Sequence, residues 1–220
     1  KWLTTLRDPA KPFALSMWLH EPHSPIATDS RFQSLYDGHE NSKYMGNITQ
    51  LDHALGMLMD TLDELHLSEN TLLFFTSDNG PHDEGGGDPK FFKASAPYKG
   101  MKRDLYDGGI HVPMIVHWPA AIKTGRVDGT PWAFADVLPT LADIAGVPLT
   151  LVPRIETNGV SIRGRLTDSP QDLPERTLYW EFGKQAGDPN SGVIGDVFQA
   201  ARRGPWKAVR YGMDAPVELY

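Results

Sequence analysis

Residues Thr71–Pro113 read TLLFFTSDNGPHDEGGGDPKFFKASAPYKGMKRDLYDGGIHVP. The stretch opens with Thr71–Thr76, a β-prone apolar run without polar alternation, which predicts a strand buried on both faces of a parallel sheet. Ser77-Asp78-Asn79-Gly80 follows at once. In open α/β sheets ligands gather beyond the carboxyl ends of the strands, so Asp78 and Asn79 are aimed at a site. A carboxylate and an amide carbonyl are hard oxygen donors, suited to Ca²⁺ or Mg²⁺ more than to a soft metal. The same four residues also make an ordinary Asx turn, and taken alone they do not separate the two readings.

Upstream, Phe13–Leu19 reads as a second buried strand, released from an opening helical segment by Pro12. It delivers His20-Glu21-Pro22-His23-Ser24-Pro25, where two prolines restrict the backbone around His23 and leave its imidazole on an exposed loop. An imidazole so placed can protonate a leaving oxygen. His20 with His23 is also half of a conceivable zinc site, with no further anchored ligand. Between the two strands, Tyr44, Ile48, Leu51, Leu55, Leu58, Leu62 and Leu65 alternate spacings of four and three, which predicts one amphipathic helix. Strand, helix, strand is the repeat of a parallel α/β sheet.

Downstream of Asn79, His82 is a candidate substrate contact in a glycine-rich loop, Pro81–Pro89. The triple glycine lacks the Gly-Lys-Ser/Thr closure of a phosphate loop and reads as flexibility at the mouth of the site. Lys99, Lys102 and Arg103 supply local positive charge. Asp107-Gly108-Gly109 allows tight backbone before another apolar strand, Ile110–Trp118, closed by Pro119. A helix over Asp136–Ala145 follows, with Phe134, Val137, Leu138, Leu141 and Ile144 toward the core and Gly146 as its C-cap. From about Leu173 short β-prone runs separated by Gly, Pro and Asp predict a small antiparallel sheet.

The 220 residues are 40% hydrophobic and 22% charged, a composition able to bury an ordinary core. With 21 basic against 28 acidic side chains the formal charge is −7, which argues against nucleic-acid partners. An anionic substrate must then be held by local charge. There is no cysteine, hence no disulfide and no thiolate metal site, and no run of eighteen apolar residues to span a membrane.

Two linked motifs resemble the sulfatase family. Members carry a strand ending in Ser-Asp-Asn-Gly and, some twenty residues later, a segment matched here by Gly100-Met101-Lys102-Arg103-Asp104-Leu105-Tyr106-Asp107-Gly108-Gly109-Ile110-His111-Val112-Pro113. His23 matches the Pro-His-x-Pro histidine of the family. Asp136-Val137-Leu138-Pro139-Thr140-Leu141 and Asn158–Ile162 resemble later family segments.

The resemblance implies an α/β, alkaline-phosphatase-like parallel sheet with flanking helices over residues 1–172, and the start of a smaller antiparallel subdomain over 173–220. It implies that Asp78 and Asn79 ligate Ca²⁺, that Lys102 contacts the sulfate group, and that His23 protonates the departing alcohol. The implied substrate is a sulfated small molecule or glycan, in a periplasmic or secreted protein. The rival within the same superfamily is a phosphomonoesterase or phosphodiesterase; a third reading is a domain that binds sulfated glycans without hydrolysis. Family members attack with a hydrated formylglycine made from a Cys or Ser in Cys/Ser-x-Pro-Ser-Arg. No such motif is present here, so a missing N-terminal segment of the same protein is expected to supply it, with further acidic metal ligands.

Overall fold

The computed structural model describes residues 1–151, 157–168, 170–183 and 197–220. The opening segment forms a single helical turn, Trp2–Leu6, closed by Arg7 N–H on Trp2 C=O at 3.0 Å. Helix α1, Ser30–Gln33, is capped by Asp29, whose carboxylate accepts from Arg31 N–H. It packs on α2, Ser42–Glu64, where Gly46 is needed: a Cβ there would lie 2.7 Å from the Gln33 backbone. The predicted stripe of α2 is mostly half-buried; Leu62 is buried and Ile48 exposed.

Strand β1, Leu73–Thr76, leads into the first motif, α3, Asp107–Ile110, lies in the second, and β2, Met114–His117, follows it. The α/β class holds, but the two strands pair antiparallel, Leu73 opposite His117 and Thr76 opposite Met114. A parallel pair requires a crossover that returns the chain to the same end of the sheet. Here the chain between them turns back through the motif loops, and Thr76 Oγ1 donates to Pro113 C=O at 2.9 Å. Strand β1 is half-buried along its length, not sealed on both faces. The predicted strand Ile110–Trp118 is shorter because Asp107–Ile110 is helical.

Phe13–Leu19 is not a strand. No described strand pairs with it, and a strand without a ladder partner leaves its backbone groups to water. Its side chains are correspondingly open, with Trp18 94% exposed.

Helix α4, Val137–Ile144, ends as expected, with Gly146 at φ +68° just beyond it. Its expected apolar stripe is met only in part. Val137 and Ile144 are half-buried, whereas Phe134, Leu138 and Leu141 are exposed and the buried positions of the helix are Pro139 and Thr140. Asp136, fully buried, accepts from the N–H groups of Ala133 (2.8 Å) and Val160 (2.9 Å) and is gripped by both terminal nitrogens of Arg176. Thr140 Oγ1 accepts from Ile162 N–H at 2.9 Å. Segment 158–162 and the chain entering the last sheet are thereby tied to one helix end.

That sheet is β3, Thr177–Gly183, β4, Val197–Arg203, β5, Trp206–Tyr211, and β6, Glu218–Leu219, antiparallel in the order β3-β4-β5-β6. Its buried centre is Ala200 and Val209, joined by Leu105 from the second motif.

Candidate active site

The two sequence motifs interlock through backbone. Gly80 N–H donates to Gly109 C=O at 2.8 Å, and Lys102 N–H donates to Pro81 C=O at 2.8 Å. The approach is so close that a Cβ on Gly80 would lie 1.9 Å from Gly108 O. Asn79, half-buried, turns its Nδ2 onto Gly80 C=O at 2.9 Å, and its side-chain carbonyl has no partner among the described residues. Asp78 is exposed and has no hydrogen-bond or ion-pair partner among the described residues.

Lys102 projects from a tight turn. Asp104 N–H donates to Met101 C=O at 2.9 Å, and Met101 N–H donates to Asp104 Oδ2 at 2.9 Å. Between them Arg103 takes φ +76°, a left-handed conformation disfavoured for a residue with a Cβ. Lys102 Nζ reaches 3.3 Å from His23 Nε2. His23 Nδ1 lies 2.6 Å from Ser24 C=O. A carbonyl only accepts, so Nδ1 carries a proton and Nε2 of the neutral ring offers its lone pair to the Lys102 ammonium.

The three cations counted in the sequence separate. Lys99 is paired with Glu218 at 3.1 Å and hydrogen-bonded to Tyr220 at 2.9 Å. Arg103 is paired with Glu84 at 3.2 Å. Lys102 makes no ion pair among the described residues. Its charge is the one available to an anion.

His82 is half-buried, accepts from Glu84 N–H on Nδ1 at 2.9 Å and lies 3.5 Å from Arg103 Nη1. It stands beside the turn that carries Lys102. The glycine-rich loop is closely seated rather than loose at one point: Gly85 (φ +74°) abuts Ser24, and a Cβ there would meet Ser24 Oγ at 2.6 Å. His20 and His23 lie 5.9 Å apart by ring centroid, and His20 Nε2 contacts Pro25 C=O at 3.2 Å. Both rings are thus engaged by backbone carbonyls, and among the described residues no group of three His, Asp or Glu converges as a metal site.

The structure therefore places Lys102 against His23 and His82 against the neighbouring Arg103, with Asp78 and Asn79 on the loop that runs into Pro81, to which Lys102 is hydrogen-bonded. Sequence reasoning passed over Asp104, whose carboxylate shapes the Lys102 turn. Its signal was its place two residues after that lysine.

A family model described as Sulfatase matches residues 1–147. The chain belongs to the sulfatase family. The steryl-sulfatase of Mus musculus is 33% identical over 147 residues, covering 65% of this chain and 23% of that protein. The N-acetylgalactosamine-6-O-sulfatase of Bacteroides thetaiotaomicron is 36% identical over 146 residues, covering 63% and 28%. The chain thus spans well under a third of these relatives. The solved structure of Ps i-CgsB in complex with k-i-k-neocarrahexaose shares the fold, with a TM-score of 0.72 and 23% identity over 91% of this chain and 41% of that one.

For a sulfatase, the donor chemistry of the first motif suits a hard divalent cation. The Asp78 carboxylate and the Asn79 carbonyl are both without partners among the described residues, and oxygen is what such an ion takes. Two residues supply a minority of the six to eight oxygens that Ca²⁺ coordinates, about what one loop can offer. Among the described residues no helix is long and apolar enough to cross a membrane.

Proposed function

We propose that the whole protein hydrolyses sulfate esters and that these residues form the leaving-group and anion-binding side of its site. The observation that carries the reading is a lysine ammonium, without an acidic partner among the described residues, 3.3 Å from an imidazole Nε2 on an exposed loop. Asp78 and Asn79 would hold Ca²⁺, which supplies neutralisation of the sulfate oxygens when bound. The nucleophile would come from a formylglycine outside these residues, since none of the 220 lies in a Cys/Ser-x-Pro-Ser-Arg motif.

The chain's own residues do the rest. Lys102 binds the sulfate oxygens, where its charge matters most as the S–O bond breaks and negative charge spreads. Its donors then turn from His23 to the substrate. His23 keeps its Nδ1 proton on Ser24 C=O; once Lys102 turns to the substrate, Nε2 takes a proton from solvent, and this Nε2 proton is the one the imidazolium gives to the ester oxygen. The electron pair of the S–O bond stays on that oxygen, and the proton prevents release of a poor alkoxide leaving group. His82 lies at the edge where the alcohol portion would sit.

Carbohydrate sulfates fit better than an apolar skeleton. His82, Asp83, Glu84 and Arg103, the last next to Lys102 in the chain, form a polar cluster able to hydrogen-bond a sugar. The B. thetaiotaomicron relative is named for such a substrate. A periplasmic or secreted location accords with a sulfated glycan partner.

The test is a paired assay of the full-length protein on sulfate and phosphate monoesters, including sulfated sugars. Higher kcat/KM on sulfate esters is expected. Preference for phosphate would overturn the reading in favour of a phosphoesterase, and glycan binding without turnover would leave only a binding domain.

A further inference from the structure

We propose that Tyr211, on β5, is a positioning residue for Lys102 and acts through Asp104. The inference rests on the sulfate-binding role of Lys102 given above and extends it to the C-terminal sheet. The turn Met101–Asp104 holds Arg103 in a left-handed conformation, which persists only where surrounding contacts over-determine it. One such contact is local, Met101 N–H on Asp104 Oδ2. The other comes from 107 residues away in the chain: the Tyr211 hydroxyl donates to Asp104 Oδ1 at 3.2 Å. The Tyr211 hydroxyl oxygen in turn accepts from Leu105 N–H at 3.0 Å. A single phenol thus uses its donor and an acceptor lone pair to close both sides of the turn that projects Lys102.

The direction of that hydroxyl is set by packing. The ring stacks on Tyr106, with centroids 5.2 Å apart and 29° between planes, and lies 4.4 Å from the Phe198 centroid. Val209 and Ala200 fill the space beneath, 1% and 2% exposed. The sheet and the motif are held in register by charge as well. Asp107 accepts from Lys207, and from Arg202 at 3.3 Å, while the Tyr106 hydroxyl donates to Glu218 at 2.8–2.9 Å. A lysine that must meet sulfate oxygens within hydrogen-bond distance is sensitive to such support, because small misplacements are costly.

The experiment is a double-mutant cycle in the full-length enzyme, read as kcat/KM on a sulfate monoester. Tyr211→Phe, which keeps the ring and its packing, is expected to lower kcat/KM on the order of 10-fold. In a Lys102→Ala background the same substitution is expected to cost less than about 2-fold, since the group it positions is gone. Equal losses in both backgrounds, or none in either, overturn the inference while leaving the role of Lys102 intact. An unchanged kcat/KM in Lys102→Ala alone overturns the sulfate-binding reading and this inference with it. Should Tyr211→Phe fail to fold, Asp104→Asn enters the same cycle with the same expected pattern and the same overturning results.

Discussion

Lys102 Nζ lies 3.3 Å from His23 Nε2, although the two residues are 79 apart in the chain. The contact exists because Gly80 and Lys102 stitch the two sulfatase motifs together by backbone, which carries the lysine to the histidine loop. A lysine Nζ beside an imidazole nitrogen is the pairing on which the proposed anion-binding and proton-donor roles rest.

For His23 the expected result is leaving-group dependence. His23→Ala in the full-length sulfatase should reduce kcat by about 10²–10⁴-fold for sulfated alcohols and by far less for a nitrophenyl sulfate, whose oxygen needs little protonation. Equal losses on all esters would refute proton donation.

Removal of Lys102 tests the anion. Lys102→Ala should lower kcat/KM by on the order of 10²-fold. Sulfate inhibition should weaken in parallel, measured as the inhibition constant of inorganic sulfate with Ca²⁺ saturating. An unaltered inhibition constant would place the anion elsewhere.

The metal assignment is open to calorimetry. Asp78→Ala should weaken Ca²⁺ binding by at least about 10-fold and Asn79→Ala by less, because the charged donor contributes more to a hard cation. Affinity equal to wild type in both variants would leave the loop as a plain turn.

Two glycines should respond with opposite sign. Gly80→Ala pushes a Cβ into the Gly108 carbonyl, a backbone atom that cannot step aside, and should cost about 3 kcal/mol or more. Gly56→Ala, inside α2 with no atom within 4 Å, should stabilise by about 0.5–1 kcal/mol. Guanidinium unfolding reads both.

The buried Asp136–Arg176 pair predicts an acid response. Burial works against the Asp136 carboxylate, but Arg176 and the N–H groups of Ala133 and Val160 outweigh it and hold its pKa below the ordinary 3.8. Its contribution is therefore complete above that value and declines as the pH falls through the lower, folded one. The stability gap between wild type and Asp136→Asn should shrink as the pH drops from neutral through 3.8 and below. Arg176→Ala, which leaves the carboxylate unpaired, should cost about 3–5 kcal/mol at neutral pH. A gap that stays constant with pH would show the pair to be unlinked to protonation.

Much of the site was legible because its chemistry is local in sequence. Ser77–Gly80, the Gly100–Pro113 segment and the His23 loop each carry their side chains within a few residues, and the family resemblance rested on those runs. Helix α2 was likewise written in its apolar spacing. Strand pairing was not. An apolar run such as Thr71–Thr76 has the same letters whether its neighbour runs parallel or antiparallel, and Phe13–Leu19 shows that β-prone letters do not make a strand where no described strand pairs with it. The face of α4 was legible only in part for a related reason: periodicity reports the apolar side, of which Val137 and Ile144 turn inward, whereas Asp136 and Thr140 are buried by hydrogen bonds to segments well downstream.

What the residues alone established is the inventory: a hard-oxygen pair, a motif lysine, a loop histidine, and no cysteine. Which of three cations remains available to an anion, and that a tyrosine from the last sheet braces the lysine's turn, was decided only by the folded chain. Ion pairs such as Lys99–Glu218 and hydrogen bonds such as Tyr211–Asp104 join residues more than a hundred positions apart, and no local pattern encodes a partner at that distance.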